Sequence, residues 1–569
     1  MRNMNGIRHF LRHLSMRDSG TGVARKRIVL LIAMFVCVYA VIAGRLIHLG
    51  VTREASAAQR QRTAEAVAQA RPDVYDRKGR LIASDVRTPS LFAEPKRIID
   101  VDEAAELLTK TLPDLDIHEV RARLRSKRYF AWLRREISAD QQRAVHRLGL
   151  PGIGFLKEYK RVYHNGPLAS HVLGQVNVDN QGIAGLEKWI DARGLSALHL
   201  AGLATNHNLA PVEIALDLDV QQAVRDELLT ALKRFQAQAA NAIVLDVNTG
   251  EIVSMVSLPD FDPNLPGSPK DKNRVNRLMT GVFEMGSTFK ALTIAMALDS
   301  GRATLNSSFD ATQPLKYGRH TIHDFHPQRR VLTLPEVFTY SSNIGSARIA
   351  LAVGVDGHKA FLKKLGLLDR LRTELPESAA PLVPKNWGEI NTVTIAFGHG
   401  LSVSPLQAVM ATAALVNGGY LIPPTFMKRT EKEARDLGTR VIRQSTSDAM
   451  RYLLRLNVEK GSGRRADVEG YLVGGKTGTS EKVNGGRYDK NKLMTAFMGV
   501  FPSDKPRYLV LVMLDEPKKE AGAPAATAGL NAAPVAGRII QRIAPLLGVE
   551  PRQNLPAAQS LLSTRNASN

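Results

Sequence analysis

Ser287-Thr288-Phe289-Lys290 sets a hydroxyl and an amine three residues apart, and two later triplets, Ser341-Ser342-Asn343 and Lys476-Thr477-Gly478, supply further groups of the same kinds. Residues three apart on a helix share one face, about one turn from each other. Lys290 then stands beside a hydroxyl it can deprotonate, and Ser287 becomes a nucleophile able to attack a carbonyl and form an acyl-enzyme. A serine and lysine at this spacing occur by chance in many chains. The three motifs in this order point to acyl transfer by an active-site serine. An ordinary lysine, with a pKa near 10.4, is neutral only about once in two thousand molecules at neutral pH. Lowering it by about three units costs roughly 4 kcal/mol, which burial and a nearby cation can supply, and Lys476 is the candidate cation.

Ser341 and Asn343 flank Ser342, so on a loop they point into a cleft together. The hydroxyl can relay a proton to a leaving amine, and the amide can hold a substrate peptide; the same triplet is also common turn chemistry. Lys476-Thr477-Gly478-Thr479 precedes two strand-like runs and so falls on an edge strand. Gly478 leaves room there for a substrate backbone. Lys476, Thr477 and Thr479 suit a free carboxylate on the substrate. A backbone N–H of this strand, with that of Ser287, makes an oxyanion hole.

The elements that must position these groups follow from periodicity. Asp219 opens a helix with Val220, Val224, Leu228, Leu232 and Phe235 on one face. Ala242–Val247 and Glu251–Ser257 are split by Asn248-Thr249-Gly250, a hairpin signature. The serine motif opens an apolar helix through Ala291, Ile294 and Ala297-Leu298. Met494–Phe501 and Tyr508–Leu514 read as strands, the second buried and central, and Ala532–Leu547 as a helix. The order predicts an antiparallel sheet with helices on its faces. Upstream, Asp76-Arg77-Lys78-Gly79 is a turn between short strands, Asp100–Lys110 an amphipathic helix, and Ser138–Gln141 a capping box. That upstream region, 50–205, is α+β, begins with a helical stalk, and holds no nucleophile or metal cluster. It reads as a spacer and docking domain.

The 569 residues are too many for one ordinary domain. The net charge of +23 admits a nucleic-acid or membrane partner, yet no helix-turn-helix, zinc finger or aromatic-basic platform favours nucleic acid. The single cysteine, Cys37, excludes an internal disulfide and does not identify the compartment. Ile28–Gly44 is an uncharged, mostly apolar run of 17 residues, extended by Leu46, Ile47 and Leu49 and long enough to span a bilayer. Arg2, Arg8, Arg12, Arg17, Arg25, Lys26 and Arg27 precede it against Asp18 alone, which puts the N-terminus in the cytoplasm and nearly everything else outside. Ala55-Ser56-Ala57 lies too far beyond the run to be its signal cleavage site. The expected organisation is a basic cytoplasmic tail (1–27), a transmembrane anchor (28–49), a pedestal (50–205), a catalytic domain (206–548) and a flexible tail (549–569).

From the anchor to about residue 545 the chain resembles a class B penicillin-binding protein, most of all the septal type known as penicillin-binding protein 3. The resemblance lies in RPDVYDRKGRLIASD (71–85), GIAGLEKWID (182–191), AIVLDVNTGEIVSMVSLPDFDPN (242–264), FEMGSTFK (283–290), SSNIG (341–345), FGHGLSVSPLQ (397–407) and GGKTGTS (474–480). It implies an α+β chain: one N-terminal transmembrane helix, a dimerisation-like pedestal and a β-lactamase-like transpeptidase domain. It implies Ser287 as nucleophile, Lys290 as base, Ser341 and Asn343 in proton relay and substrate binding, and Lys476, Thr477 and Thr479 at the substrate carboxylate. The Thr479 N–H completes the oxyanion hole. The implied reaction attacks the D-Ala-D-Ala end of a stem peptide on a lipid II-derived strand, releases D-alanine and transfers the acyl group to an amine of a neighbouring stem. β-Lactams would acylate Ser287, and no metal or other cofactor is implied. The family's setting is the bacterial inner membrane at the division site, catalytic domain in the periplasm, beside a membrane glycan polymerase and other division proteins. Two departures stand out: the stalk turn begins Arg-Pro where many members have Arg-Gly, and His399 occupies a variable position and is given no role.

His320, His323, Asp324 and His326 could be drawn as a metal site, but Gly318 and Pro327 bound them as a loop or hairpin. Asn306-Ser307-Ser308 and Asn566-Ala567-Ser568 fit a glycosylation pattern that a bacterial wall enzyme leaves unmodified. The rival functions are an elongation-type transpeptidase, a D,D-carboxypeptidase or β-lactamase, and a division scaffold with vestigial catalysis. Glu374-Leu375-Pro376 superficially resembles the deacylating loop of a lactamase, with Pro376 in place of the expected asparagine. The intact motifs argue against decay.

Overall fold

The computed structural model describes residues 28–46, 70–195, 198, 209–265, 267, 271–318, 320–484 and 487–563. The chain divides into two units, Met1–Ala68 and Gln69–Asn569. In the first, Ile28–Leu46 is a helix of 19 residues with mean hydropathy 2.5, among the described residues the one long and apolar enough to cross a membrane. Its side chains are exposed, as a helix solvated by lipid requires. The expected basic tail, residues 47–49 of the anchor and the stalk over 50–69 lie outside the described residues.

The second unit begins with a sheet of five strands. Leu81–Ala93 pairs along its length with Ile153–Tyr163, from Ala83 opposite Tyr163 to Ala93 opposite Ile153. Ala131–Arg134 and Val74–Tyr75 extend the same sheet. The Asp76 carboxylate accepts from Lys78 N and Arg80 N, both at 2.9 Å, and so closes the expected turn. Helices Val101–Thr111, Ile117–Leu124 and Ala139–His146 start at Asp100, Asp116 and the Ser138 capping box. Their apolar faces bury Leu108, Val120, Leu124 and Val145 against Leu91 and Leu133 of the sheet.

The expected boundary at 205 and 206 lies outside the described residues. Val212–Glu213 returns to pair in parallel with Val74–Tyr75, which covers an otherwise bare strand edge. Arg71 is buried beside this closure. It meets Glu187 at 2.8 Å and Asp191 at 2.6 Å, while Arg161 joins Glu187 at 2.6 Å and Asp85 at 3.2 Å.

The second sheet runs Gly474–Asn484, Arg487–Phe501, Tyr508–Asp515, Ala239–Asp246, Ile252–Leu258, antiparallel throughout. Tyr508–Asp515 is its middle strand, as its apolar run predicts. Alternate side chains leave opposite faces of a strand. Val510, Val512 and Leu514 pack with Val224, Leu228, Ile539 and Ile543 of the helices Leu218–Arg234 and Ala532–Leu546. Leu509, Leu511 and Met513 pack on the other face with Leu292, Ile294 and Ala295 of the serine helix. Leu218–Arg234 starts earlier than Asp219 because Asp217 supplies the cap, accepting from Asp219 N and Val220 N.

The stretch expected as a flexible tail packs on the domain as far as Leu562, and its residues 564–569 lie outside the described residues. Arg552 N donates to Gly470 O at 2.8 Å and Ala558 N to Glu459 Oε1 at 2.9 Å. Val549 and Ala558 are buried, and Leu561 and Leu562 lie against the core. The prolines end one helix without releasing the chain, because the apolar residues beyond them still find a surface to cover.

Candidate active site

Ser287 lies in a 3₁₀ turn, Gly286–Phe289, that runs directly into the helix Lys290–Asp299. Gly286 enters the turn at φ 54°, and a Cβ there would come within 2.9 Å of Thr479 O. The nucleophile turn thus touches the edge strand Gly474–Asn484, where Lys476 was expected. Gly478 has a different reason from the one its sequence position suggests. A Cβ on it would stand 2.6 Å from Met285 O and 2.9 Å from Thr288 Cγ2, so the glycine admits the protein's own nucleophile turn rather than a substrate backbone.

Lys290 is fully buried. Its Nζ donates to Ser341 O and to Asn343 Oδ1 at 2.8 Å, and lies 3.1 Å from Ser341 Oγ. Burial, followed by the nearby Lys476, pushes the amine well below its ordinary value, against the opposing pull of Asp324. A neutral amine has two hydrogens and one lone pair. In that form the two carbonyl oxygens would take the hydrogens and leave the lone pair for a hydroxyl proton. Lys476 Nζ reaches the same Ser341 Oγ at 3.0 Å, and burial lowers it to about 7. Ser341 Oγ therefore bridges both amines.

That bridge depends on an unusual backbone. Ser341 sits at φ 56°, a left-handed conformation costly for a residue with a Cβ. Ser342 caps the next helix, its Oγ accepting from Gly345 N at 2.9 Å. Its hydroxyl donates to Asp324 Oδ2 at 2.8 Å, Ile344 N donates to Asp324 Oδ1 at 3.0 Å, and Asn343 Nδ2 donates to His323 O at 2.9 Å. The loop drawn as a possible metal site is thus a brace for the Ser-Ser-Asn turn. Asp324 carries no sequence signal, since it bonds residues 18 and 20 positions away.

Along the edge strand the side chains alternate. Lys476, Gly478 and Ser480 face the nucleophile turn, and Ser480 Oγ donates to Glu284 O at 2.7 Å. Thr477 Oγ1 bonds Ser462 Oγ at 2.6 Å, and Thr479 Oγ1 accepts from Ala528 N at 3.1 Å. Lys476 therefore shares Ser341 with Lys290, while the two threonine hydroxyls are held by Ser462 and the Ala528 backbone, neither of which the sequence singled out. Glu374 also has protein partners: its carboxylate accepts from Thr425 Oγ1 at 2.5 Å and Phe426 N at 3.0 Å.

Ser287 thus opens a helix that lies against the edge of an antiparallel sheet, one turn from a buried lysine that shares Ser341 Oγ with a second, an arrangement suited to acyl transfer. The penicillin-binding protein transpeptidase domain matches residues 240–541, and the penicillin-binding protein dimerisation domain matches residues 66–193. The chain belongs to the class B penicillin-binding proteins of the FtsI type. A probable peptidoglycan D,D-transpeptidase FtsI of Caulobacter vibrioides is 41% identical over 86% of this chain and 84% of its own length. The peptidoglycan D,D-transpeptidase FtsI of Escherichia coli is 31% identical over 85% of each. The crystal structure of penicillin-binding protein 3 from Mycobacterium tuberculosis, complexed with aztreonam, is similar with a TM-score of 0.66 at 25% identity, covering 85% of this chain and 98% of that one.

Proposed function

We propose that this protein is the septal peptidoglycan D,D-transpeptidase of its cell, held by one N-terminal helix with residues 1–27 in the cytoplasm and the catalytic unit in the periplasm. The observation that carries the reading is Lys290, fully buried one turn from Ser287 and held by Ser341 and Asn343. Ser287 loses its proton to Lys290 and attacks the carbonyl of the D-Ala-D-Ala end of a stem peptide. The developing oxyanion sits between the N–H groups of Ser287 and Thr479. The proton passes through Ser341 to the leaving D-alanine. Lys476, with Thr477 and Thr479, receives the substrate carboxylate, and Asn343 steadies both Lys290 and the donor peptide. The acyl group then moves to an amine of a neighbouring stem. β-Lactams meet the same serine.

The domain limits that suit this reading are 50–205 for the pedestal and 206–548 for the catalytic part, with Val212–Glu213 tying the two together. A membrane glycan polymerase and other division proteins are the natural partners of the anchor and pedestal. The lactamase alternative is weakened by Glu374, whose carboxylate is engaged with Thr425 and Phe426. Fluorescent penicillin tests the reading. The full chain in detergent should form a stable covalent adduct that Ser287→Ala cannot form. Release of the label within seconds would identify a lactamase, and no adduct in the folded wild type would overturn catalysis and leave the scaffold role.

A further inference from the structure

Close to the nucleophile, three side chains take no part in acylation. Glu284 lies three residues before Ser287, and its Oε1 accepts from Gly400 N at 2.7 Å and from Tyr488 OH at 3.0 Å. Its other oxygen, Oε2, is buried without a hydrogen-bond partner among the described residues. His399 is largely buried beside it, with Nδ1 out of solvent and the ring engaged by the Phe397 backbone. The His399 ring stands edge-on to Tyr488, 5.7 Å between centroids, and 5.4 Å from Phe397.

The arrangement is rigid where it meets the nucleophile. Gly286 N donates to Gly398 O at 3.2 Å, and Ser480 ties Glu284 O to the edge strand. A Cβ on Gly398, at φ 88°, would fall 2.0 Å from Gly286 O. The loop carrying His399 is thereby locked against the turn carrying Ser287.

Buried polar atoms without partners are costly and rare unless a ligand supplies the missing contact. A carboxylate oxygen asks for a hydrogen-bond donor, above all a cationic one. An imidazole nitrogen can accept a proton. An ammonium ion satisfies both. The reaction brings such an ion to this place, because a primary amine reaches an acyl-enzyme as its ammonium form and cannot attack until it loses a proton.

We propose that Glu284, His399 and Tyr488 form the binding site for the acyl acceptor: Glu284 Oε2 receives the incoming primary ammonium, and His399 takes one of its protons. The proposal rests on the transpeptidase reading. The freed amine attacks the acyl carbonyl, a C–N bond forms, and the C–O bond to Ser287 Oγ breaks. The amine's second proton returns to Ser287 Oγ through Lys290 or Ser341, and the first leaves from half-buried His399 to solvent. Ammonium and ester thus give amide, free serine and one released proton. The titratable groups facing His399 are Glu284, Glu481, Lys290 and Tyr488, and the Phe397 backbone hydrogen-bonds the ring. Burial holds the imidazole below its ordinary value despite the pull of Glu284, which keeps it neutral and able to accept.

The test separates the two half-reactions in the full-length protein in detergent. A thioester donor loads Ser287, and transfer is measured to D-lysine, which arrives as an ammonium, and to hydroxylamine, which is uncharged at neutral pH. For Glu284→Gln and for His399→Gln, the KM for D-lysine should rise by at least about tenfold more than penicillin acylation slows, as loss of one charge-assisted contact implies. Tyr488→Phe, a milder change at a half-exposed ring, should raise it about threefold. Transfer to hydroxylamine should follow the acylation rate. Equal losses with both acceptors, or no change with D-lysine in any variant, would overturn the assignment. A wild type that takes no penicillin would instead overturn the enzyme itself.

Discussion

Replacing Asp324 with alanine sets two consequences of one carboxylate against each other. Asp324 holds the Ser-Ser-Asn turn through Ser342 Oγ and Ile344 N, and it also raises the pKa of Lys290. Were electrostatics dominant, its removal would leave Lys290 more often neutral and quicken acylation. Were geometry dominant, Ser341 would relax from φ 56° and carry its hydroxyl away from Lys290 and Lys476. The left-handed conformation stores about 1–3 kcal/mol. Each bond to a carboxylate contributes about 1.5–3 kcal/mol when shielded, and Asp324 is only half-buried, so about 2 kcal/mol in all is a fair figure for the lost restraint. That corresponds to a slowing of roughly 30-fold. Asp324→Asn keeps one acceptor oxygen and should slow acylation only about threefold. Stopped-flow acylation by a fluorescent penicillin, beside thermal melting of each variant, measures both. An alanine variant that stays folded and acylates as fast as wild type, or faster, would refute the claim that Asp324 acts by holding Ser341.

The two buried lysines share Ser341 Oγ. Lys290 must be neutral and Lys476 charged, so penicillin acylation under kcat/KM conditions should fall in acid as Lys290 gains a proton and fall again above about 7 as Lys476 loses one. Lys476→Met should abolish the alkaline fall, and a wild-type rate still rising at high pH would contradict the assignment. In the pedestal, Arg71→Met leaves Glu187 buried with Arg161 as its only remaining arginine partner, and should cost about 3–5 kcal/mol of folding stability, read by denaturant unfolding. A loss under about 1 kcal/mol would show that the network is not what closes the sheet.

Much of this molecule is legible locally. The middle strand Tyr508–Asp515, the hairpin around Asn248-Thr249-Gly250, the capping box at Ser138 and the helix after Asp100 all follow from patterns a few residues long. Residue type and order also picked out Lys290, Ser341, Asn343 and Lys476, which the fold brings within hydrogen-bonding distance of one another. Propensity, capping and alternation act between neighbours, and a single chain records them. What the sequence could not determine is what those groups meet. Asp324 lies in a stretch legible only as a loop or hairpin and proves to be the brace of the Ser-Ser-Asn turn. Gly478 was read as clearance for a substrate and is clearance for Met285 and Thr288. The prolines after Leu547 suggested a loose tail, yet Ala558 and Leu562 are packed. The parallel pairing of Val74–Tyr75 with Val212–Glu213 joins segments about 140 residues apart, which no local pattern announced. Glu284, His399 and Tyr488 meet only because Gly398 lets one loop press against the nucleophile turn. In each case the deciding partner is far away in the chain, and its identity depends on the path of the loops between, which no local pattern encodes.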